Sequence, residues 1–488
     1  ERVRACLFRD ENEAMCFLFA HVIDTPNRRI FLVDYVVQLD STCYLKRTPT
    51  AVVLDHRAKN AVYSRFVESS HTGLINAHSH PFAASTVAFS ATDDEDDLRE
   101  MAYQYEQLPR GKRSSQNPSK IHALSMVFGQ QSLDARGYKP GTPPALPKIE
   151  QVQVLGESLR VIPPSSIAST RCLSMSALST HIRQIMVFGL EGQKALYSLR
   201  VGLVGCGGIG SIMAEGLMRL GVMNLTLVDG DFLATSNLNR WQGGRPKDVG
   251  RLKAHVLARR LRSMNPQTKV CSIGFPLNHP KALRAIKGVD VLIGAVDNHQ
   301  ARFLMNRISA QYLIPYLDAA TVIKKGKPEN NNQMQLLFRL AVVVPGTTAC
   351  LQCSRFTYWD KKEIALSLYD PQTRALLKAS GYIQDHPEIE APSVYPLNML
   401  ATGALLIELK NLVNHFHPLA RNVAMDWLHP NRTTVRSDSD NFPEGPAEDC
   451  LNCQALLATG DNEPLPAFYS MPPKATQIAN DFPFAANE

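Results

Sequence analysis

The residues best suited to chemistry stand between positions 201 and 253. Val201-Gly-Leu-Val-Gly-Cys-Gly-Gly-Ile-Gly210 carries an apolar strand into a glycine turn. Leu225-Thr-Leu-Val-Asp-Gly-Asp231 is a second strand that ends on Asp229 and Asp231, and Ser236-Asn-Leu-Asn-Arg240 and Lys253 follow. In a nucleotide-binding βαβ unit, Gly205 permits the tight turn. Gly207, with Gly208 beside it, lets backbone approach phosphate, and Gly210 lets the helix sit close to the strand. The helix N-terminus then offers N–H groups and a positive dipole end to an anion. Asp229 is placed to grip ribose hydroxyls, and up to this point an NAD dehydrogenase fits equally well. Asn237, Arg240 and Lys253 separate the readings. An adenylating enzyme needs cations where charge builds on the α-phosphate as pyrophosphate departs. Val289-Asp-Val-Leu-Ile-Gly-Ala-Val-Asp297 adds a strand ending on Asp297, a fitting ligand for Mg²⁺ on the phosphates. Solvated surface charge is the bland reading of Arg240 or Lys253 taken singly, not of this ordered set.

A second constellation lies upstream. Leu74-Ile-Asn-Ala-His78-Ser-His80 puts two histidines two apart at the end of an apolar strand, where i and i+2 point the same way. Ser90-Ala-Thr-Asp93 follows. Two imidazoles and a carboxylate with a fourth position open make a catalytic zinc arrangement. Glu13, at the head of a buried apolar run, is the expected general base, with Glu11 as its rival. A polar strand end is the bland reading of His-x-His alone. Asp94 to Asp97 read as a solvated helix start.

Ten cysteines in 488 residues do not suggest a disulfide scaffold. Cys350/Cys353 and Cys450/Cys453 form two C-x-x-C pairs. If they converge, four thiolates close a tetrahedral site, which is structural zinc. Cys6, Cys16, Cys43, Cys172, Cys206 and Cys271 stand singly and read as core fillers.

The elements that must position these groups are legible in outline. Phe17–Phe19, Ile30–Val33, Ala51–Leu54 and Leu74–Ala77 read as strands, and residues 56–70 as a helix. A Pro/Gly-rich joint at 137–148 and a strand at Gln151–Leu155 precede a break at Pro163-Pro-Ser-Ser166. Residues 175–200 read as helical, and strands and helices then alternate to about 345, as a doubly wound sheet requires. Residues 357–392 read as a polar, partly helical excursion over the active site, 398–416 as a strong helix, and the tail beyond 455 as partly disordered. The expected domains are 1–164, 165–460 and a tail, 461–488.

Residues 175–455 resemble the ThiF/MoeB/ubiquitin-activating-enzyme superfamily. His181-Ile-Arg-Gln-Ile-Met-Val-Phe-Gly-Leu-Glu-Gly-Gln193 resembles its leading helix. The resemblance implies that Arg183 reaches the ATP of a second copy in a homodimer. It implies nucleotide and Mg²⁺ roles for Asp229, Asn237, Arg240, Lys253 and Asp297, and a zinc knuckle for the four paired cysteines. One departure stands out: residues 354–449 contain no cysteine. The thioester step of many relatives therefore lacks its cysteine here, and Ser393 is a candidate substitute nucleophile. Residues 1–135 resemble the JAMM (JAB/MPN) isopeptidases, whose pattern is Glu … His-x-His … Ser-x-x-Asp. That resemblance implies zinc on His78, His80 and Asp93, water activation by Glu13, and a tetrahedral intermediate steadied by Ser90. The His80-to-Ser90 spacing is two residues longer than the commonest form.

The expected fold class is therefore α/β: an N-terminal JAMM-like α+β domain, then a Rossmann-like adenylation domain. The expected function is bifunctional. One half adenylates the C-terminal glycine of a ubiquitin-like β-grasp protein with ATP and Mg²⁺. The other half cuts after such a tail with a catalytic zinc, distinct from the structural one. A conjugating enzyme is a further candidate partner. The alternative is processing and activation of a sulfur carrier, and a scaffold with dead sites is a third reading. The net charge of +7 is spread along the chain and leaves no nucleic-acid footprint. No apolar run approaches the ~20 residues of a membrane span. The opening Glu1-Arg-Val-Arg lacks a signal-peptide pattern, so the expected setting is the cytoplasm.

Overall fold

The computed structural model describes residues 2–111, 121–168, 173–324, 335–354, 392–419, 422–426, 435–437 and 445–465. The chain opens with helix α1 (Arg2–Leu7), β1 (Met15–Asp24), β2 (Arg29–Gln38) and the hairpin β3 (Tyr44–Thr48)–β4 (Ala51–Leu54). Helix α2 (His56–Glu68), β5 (Gly73–Ser79), α3 (Ala91–Gly111), β6 (His122–Phe128) and β7 (Leu133–Gly137) complete the first unit. Its five strands lie in the order β2-β1-β5-β6-β7, with β5 and β6 parallel and the other pairs antiparallel. Strand β1 is apolar on both faces because both are covered. Phe17 and Phe19 pack with Val62, Tyr63 and Phe66 of α2, whereas Cys16, Leu18 and Ala20 pack with Leu7 of α1.

A hairpin, β8 (Val152–Leu155) and β9 (Leu159–Ile162), and helix α4 (Ser165–Ala168) lead onward. The stretch read as helical over 175–200 forms two helices, α5 (Met175–Phe188) and α6 (Leu190–Ser198). They break at Gly189, whose φ of +78° suits glycine. Then come β10 (Arg200–Val204), α7 (Gly208–Leu220), β11 (Asn224–Val228), α8 (Lys253–Met264), β12 (Lys269–Ile273), α9 (Pro280–Ile286), β13 (Val291–Gly294), α10 (His299–Tyr312), β14 (Tyr316–Lys324) and β15 (Gln335–Val343). Helix α11 (Tyr395–Asn414), β16 (Asn422–Asp426) and β17 (Val435–Ser437) follow. The sheet order is β12-β11-β10-β13-β14-β15-β16-β17. Its first five strands are parallel, and the strands from β15 on are antiparallel. The chain reverses direction across the sheet between β10 and β13, the place where open α/β sheets bind ligands.

The two sheets share packing. Ile23 and Leu32 of the first sit in one apolar cluster with Val228, Leu292 and Tyr316 of the second. Arg28 donates to the buried carboxylate of Asp290 at 2.6 Å, and Asp290 also accepts the N–H of Arg200 at 2.8 Å. Two of the single cysteines depart from the expected core role: Cys271 is exposed and Cys43 only half-buried, while Cys6, Cys16 and Cys206 are buried. Cys172 and the excursion at 357–392, its last residue excepted, lie outside the described residues.

Helix α11 begins at Tyr395, ahead of the expected 398, because Pro396 suits a first turn. It buries Leu397, Ala401, Leu405, Leu409 and Leu412 in the main core. Lys410 is also buried, at 2% exposure. Its Nζ lies 4.7 Å from the Phe188 ring centroid and has no hydrogen-bond partner among the described residues. Burial pulls this ammonium down to about 8 from its ordinary 10.5. The folded state thus binds fewer protons than the unfolded one between those values, and stability rises with pH across that window. Below pH 8 the full cost is present. Lys410→Met is expected to stabilise the chain by about 1–3 kcal/mol at pH 7. That gain should shrink as pH rises from 8 to 10.5 in denaturant melts, and a loss of stability at pH 7 contradicts the argument.

Candidate active sites

The nucleotide site is built on the turn between β10 and α7. Gly205 has φ +90°, and a Cβ there would lie 2.4 Å from the Ala295 carbonyl oxygen. A Cβ on Gly210 would lie 1.9 Å from the Gly205 carbonyl oxygen. At Gly207, the N-cap of α7, a Cβ would enter open space. The end of α7 therefore faces an unfilled cradle of backbone, as a phosphate requires. At Gly208 a Cβ would meet the Asn398 side-chain nitrogen at 2.4 Å.

Asp229 accepts the Cys206 N–H at 2.6 Å and the Asp231 N–H at 2.8 Å. Each carboxylate oxygen keeps a second lone pair for a ribose hydroxyl. Burial and the Asp231 charge push Asp229 up to about 6, against the pull of Lys253. Lys253 opens α8, and its Nζ lies 2.9 Å from Asp231 Oδ2. Burial opposes its charge, but Asp229, Asp231 and Asp297 outweigh burial and raise it, so the ammonium stays cationic. Asn237 accepts the Ala234 N–H at 3.1 Å, which caps its own turn. Arg240 is half-buried and donates to the Ser236 carbonyl at 2.6 Å. Asp297 is exposed beyond the end of β13, one residue before Asn298, which caps α10. Arg183 is exposed on α5, beside the exposed Ile182, Met186 and Val187.

Two residues of this site were not singled out from the sequence. Trp241 Nε1 donates to the Cys206 carbonyl at 2.6 Å and locks the Asn237–Arg240 segment onto the phosphate turn. Its place directly after Arg240 was the available signal. Asn398 is fully buried at the start of α11, against Gly208, and lies within hydrogen-bond reach of Thr321 at 3.3 Å and Ser393 at 3.4 Å. Nothing in the local pattern links a residue almost 200 positions downstream to the turn. This contact does bring Ser393 near the nucleotide site.

In the first unit, β5 ends at Ser79 and delivers His78 and His80, both buried. Asp93 sits in the first turn of α3. His78 Nε2 is 3.3 Å from Asp93 Oδ1, and His80 Nε2 is 3.5 Å from Asp93 Oδ2. Tetrahedral zinc with bonds near 2.05 Å places its ligand atoms about 3.3 Å apart. The His78 Nε2 atom is sealed from solvent and makes no formed hydrogen bond among the described residues, so the donor set fits a metal. Glu13 is buried, with Oε1 3.8 Å from His80 Nε2, whereas Glu11 is exposed. Burial raises Glu13 to about 7. Ser90 caps α3: its N–H donates to Asp93 at 2.6 Å, and its Oγ accepts the Asp93 N–H at 3.2 Å. The acidic run after Asp93 is not merely a solvated helix start. Asp97 is buried and pairs with Arg136 at 2.6 Å, Asp94 pairs with the same guanidinium, and Arg136 stacks 3.7 Å over Phe89. Strand β7 presents this cation, and short-range pattern reading has no access to it.

The four paired cysteines converge. Sγ–Sγ separations are 3.6 Å for Cys350–Cys450, 3.7 Å for Cys350–Cys353 and 3.7 Å for Cys353–Cys453. Disulfides need about 2.05 Å. Zinc–thiolate bonds of about 2.3 Å set tetrahedral edges near 3.75 Å, and these thiols fit that ion.

Comparison with known proteins agrees with the nucleotide half. The family model described as "ThiF family" matches residues 181–445, more than half of the chain. The sulfur carrier protein ThiS adenylyltransferase of Bacillus subtilis is 33% identical over 167 residues, covering 34% of this chain and 46% of that protein. The adenylyltransferase and sulfurtransferase MOCS3 of Mus musculus is 34% identical over 147 residues, 30% of this chain and 32% of that protein. The SAMP-activating enzyme E1 of Haloferax volcanii is 33% identical over 153 residues, 31% of this chain and 57% of that protein. The matches thus span between about a third and somewhat over half of these relatives. With its phosphate turn, its doubly wound sheet and this match, the chain belongs to the ThiF family and carries a Rossmann-like adenylation domain of that type.

Proposed function

We propose that the chain uses ATP to adenylate the C-terminal carboxylate of a ubiquitin-like sulfur-carrier protein. The observation that carries this reading is Lys253, held cationic by Asp229, Asp231 and Asp297 beside the open backbone cradle at Gly207. A dehydrogenase has no use for that cation. The carboxylate attacks the α-phosphorus, the bond to the pyrophosphate oxygen breaks, and negative charge grows on the departing group. The α7 N-terminus, Arg240 and Lys253 oppose that charge, and Asp229 orients the ribose. Mg²⁺, when bound at Asp297, neutralises phosphate oxygens. A sulfur carrier is preferred to a conjugated modifier on two grounds: one relative's printed name specifies a sulfur carrier and another's a sulfurtransferase. The cysteine-free stretch 354–449 agrees, since a conjugating pathway needs a thiolate there.

For the first unit we propose zinc-dependent trimming of the same carrier, exposing the carboxylate that the second unit activates. The convergence of His78, His80 and Asp93, with Glu13 alongside, favours it. Zinc supplies Lewis acidity to the scissile carbonyl and acidifies water. Glu13, raised to about 7, takes the proton and hands it to the leaving amine. Ser90 is placed near Asp93 to steady the developing oxyanion. A homodimer is the third part of the reading. Helix α5 and its neighbour line an open apolar groove of Met175, Leu178, Ile182, Ile185 and Leu190, with Ile182 51% exposed and Arg183 beside it.

Three outcomes test these parts separately. Asp297→Ala should abolish carrier-dependent ATP–pyrophosphate exchange, and Lys253→Ala should slow it by about 10²–10³. Undiminished exchange in Asp297→Ala removes that residue from the mechanism. Glu13→Ala should keep the zinc count and lose cleavage of a C-terminally extended carrier, while Glu11→Ala cleaves normally. Cleavage that survives both Glu13→Ala and chelation refutes the peptidase reading. Ile182→Glu should convert a dimer to a monomer by light scattering, and a wild-type monomer at micromolar concentration overturns the dimer.

A further inference from the structure

The first sheet carries a second imidazole–carboxylate cluster, distinct from that of His78, His80 and Asp93. Along β1 and β2, Phe19 opposes Tyr35 and Ala20 opposes Val33, so Asp34 is an extra residue with no partner across the ladder. Such a bulge re-aims a side chain. Here it brings Asp34 to His21 of β1 and to His71, in the turn before β5. His71 Nε2 lies 2.8 Å from Asp34 Oδ1, and His21 Nε2 lies 3.6 Å from Asp34 Oδ2. The two rings stack, with centroids 4.4 Å apart at 24°. All three donor atoms lie within 4.8 Å of one another. The separations of 2.8 and 3.6 Å bracket the ~3.3 Å edge of a tetrahedral zinc site.

The far side of each ring is held as well. His21 Nδ1 is 2.9 Å from the Asn462 side-chain amide, and His71 Nδ1 is 3.0 Å from Ser69 Oγ. The Ser69 hydroxyl proton is committed to the Phe66 carbonyl at 2.7 Å, so Ser69 accepts from His71 Nδ1–H. That bond fixes the His71 ring with Nε2 toward the Asp34 carboxylate. The Asn462 amide nitrogen, which donates to His21 Nδ1 and to the Ser70 carbonyl at 3.5 Å, holds the second ring in place. Outer hydrogen bonds of this kind orient histidine ligands in metal sites.

We propose that His21, Asp34 and His71 bind a divalent ion of the zinc class, separate from the His78 and cysteine sites, with water or a small anion in the fourth position. Imidazole and carboxylate donors suit zinc above the alkaline-earth cations. The site also has a structural consequence. Asn462 belongs to the segment just after the second cysteine pair, where Gly460 packs against Ile23 of β1. An ion here fastens that segment to the first sheet.

The test uses the full chain with His78→Ala and His80→Ala, loaded with zinc, desalted and measured by elemental analysis. Two zinc ions per chain are expected, one on the cysteines and one on the new site. Adding Asp34→Ala, or separately His71→Ala, should reduce the count to one. With cobalt in place of zinc, the thiolate charge-transfer band should persist in every variant, which reports an intact fold. The tetrahedral d–d absorption from the imidazole site should vanish with Asp34→Ala. A single zinc in the His78→Ala/His80→Ala chain overturns the proposal. So does a second zinc that survives both Asp34→Ala and His71→Ala.

Discussion

The Ala295 carbonyl comes so close to the phosphate turn that position 205 has no room for a side chain. The nucleotide site depends on this one steric constraint. β10 and β13 lie side by side in the sheet, and the loop beyond β13 crosses directly over the turn beyond β10. Glycine at 205 accepts the left-handed conformation that the crossing demands. Glycine at 210 then lets α7 return against the turn, which aims its free N–H groups outward. Trp241 reaches back to the same turn and brings the Asn237–Arg240 segment with it. A larger residue at 205 would push against the Ala295 carbonyl and the loop that leads to Asp297.

The candidate metal sites show a different dependence. Each needs donor atoms at the edges of a tetrahedron, a few ångströms apart, and the chain supplies them from elements with no local reason to meet. His78 and His80 arrive on one strand, but Asp93 arrives on the next helix, fixed by its cap with Ser90. Arg136 on β7 anchors that helix through Asp97 and Asp94. The cysteine pairs meet beside Asn306 of α10, whose side-chain Oδ1 accepts the Leu351 N–H at 3.0 Å and so seats the first pair. Sheet topology, more than donor chemistry, sets these geometries.

Asp290 joins the two halves. It is buried, at the start of β13, and its two oxygens serve opposite masters: one accepts the first N–H of β10, and the other accepts Arg28 from the first sheet. Around it Ile23 and Leu32 complete an apolar cluster of the second unit. Burial of a charge is costly unless it is paired and hydrogen-bonded, and both conditions are met here. The His78 cluster and the nucleotide turn thus sit on a common packed framework.

Local chemistry was legible in the sequence because it is written at short spacing. Glycine offsets report a turn, i and i+2 histidines report one face of a strand, and C-x-x-C reports a paired thiolate. The βαβ order from 201 to 297 follows from the same periodicities, and Ala51–Leu54 and the helix from 56 fall close to their observed limits, whereas β1 and β2 extend to ten residues beyond the short apolar runs that marked them. Tertiary structure alone decided the rest. It split residues 175–198 at Gly189, exposed Cys271, and turned Asp94 and Asp97 from solvated charges into a grip on Arg136. It placed Asn398 against Gly208 and drew His21, Asp34 and His71 together through a bulge. The physical reason is common to all of these. Spacing along the chain constrains neighbours within a turn or a strand. Contacts across tens or hundreds of residues arise only when apolar faces are buried together, and that burial determines which polar groups end up side by side.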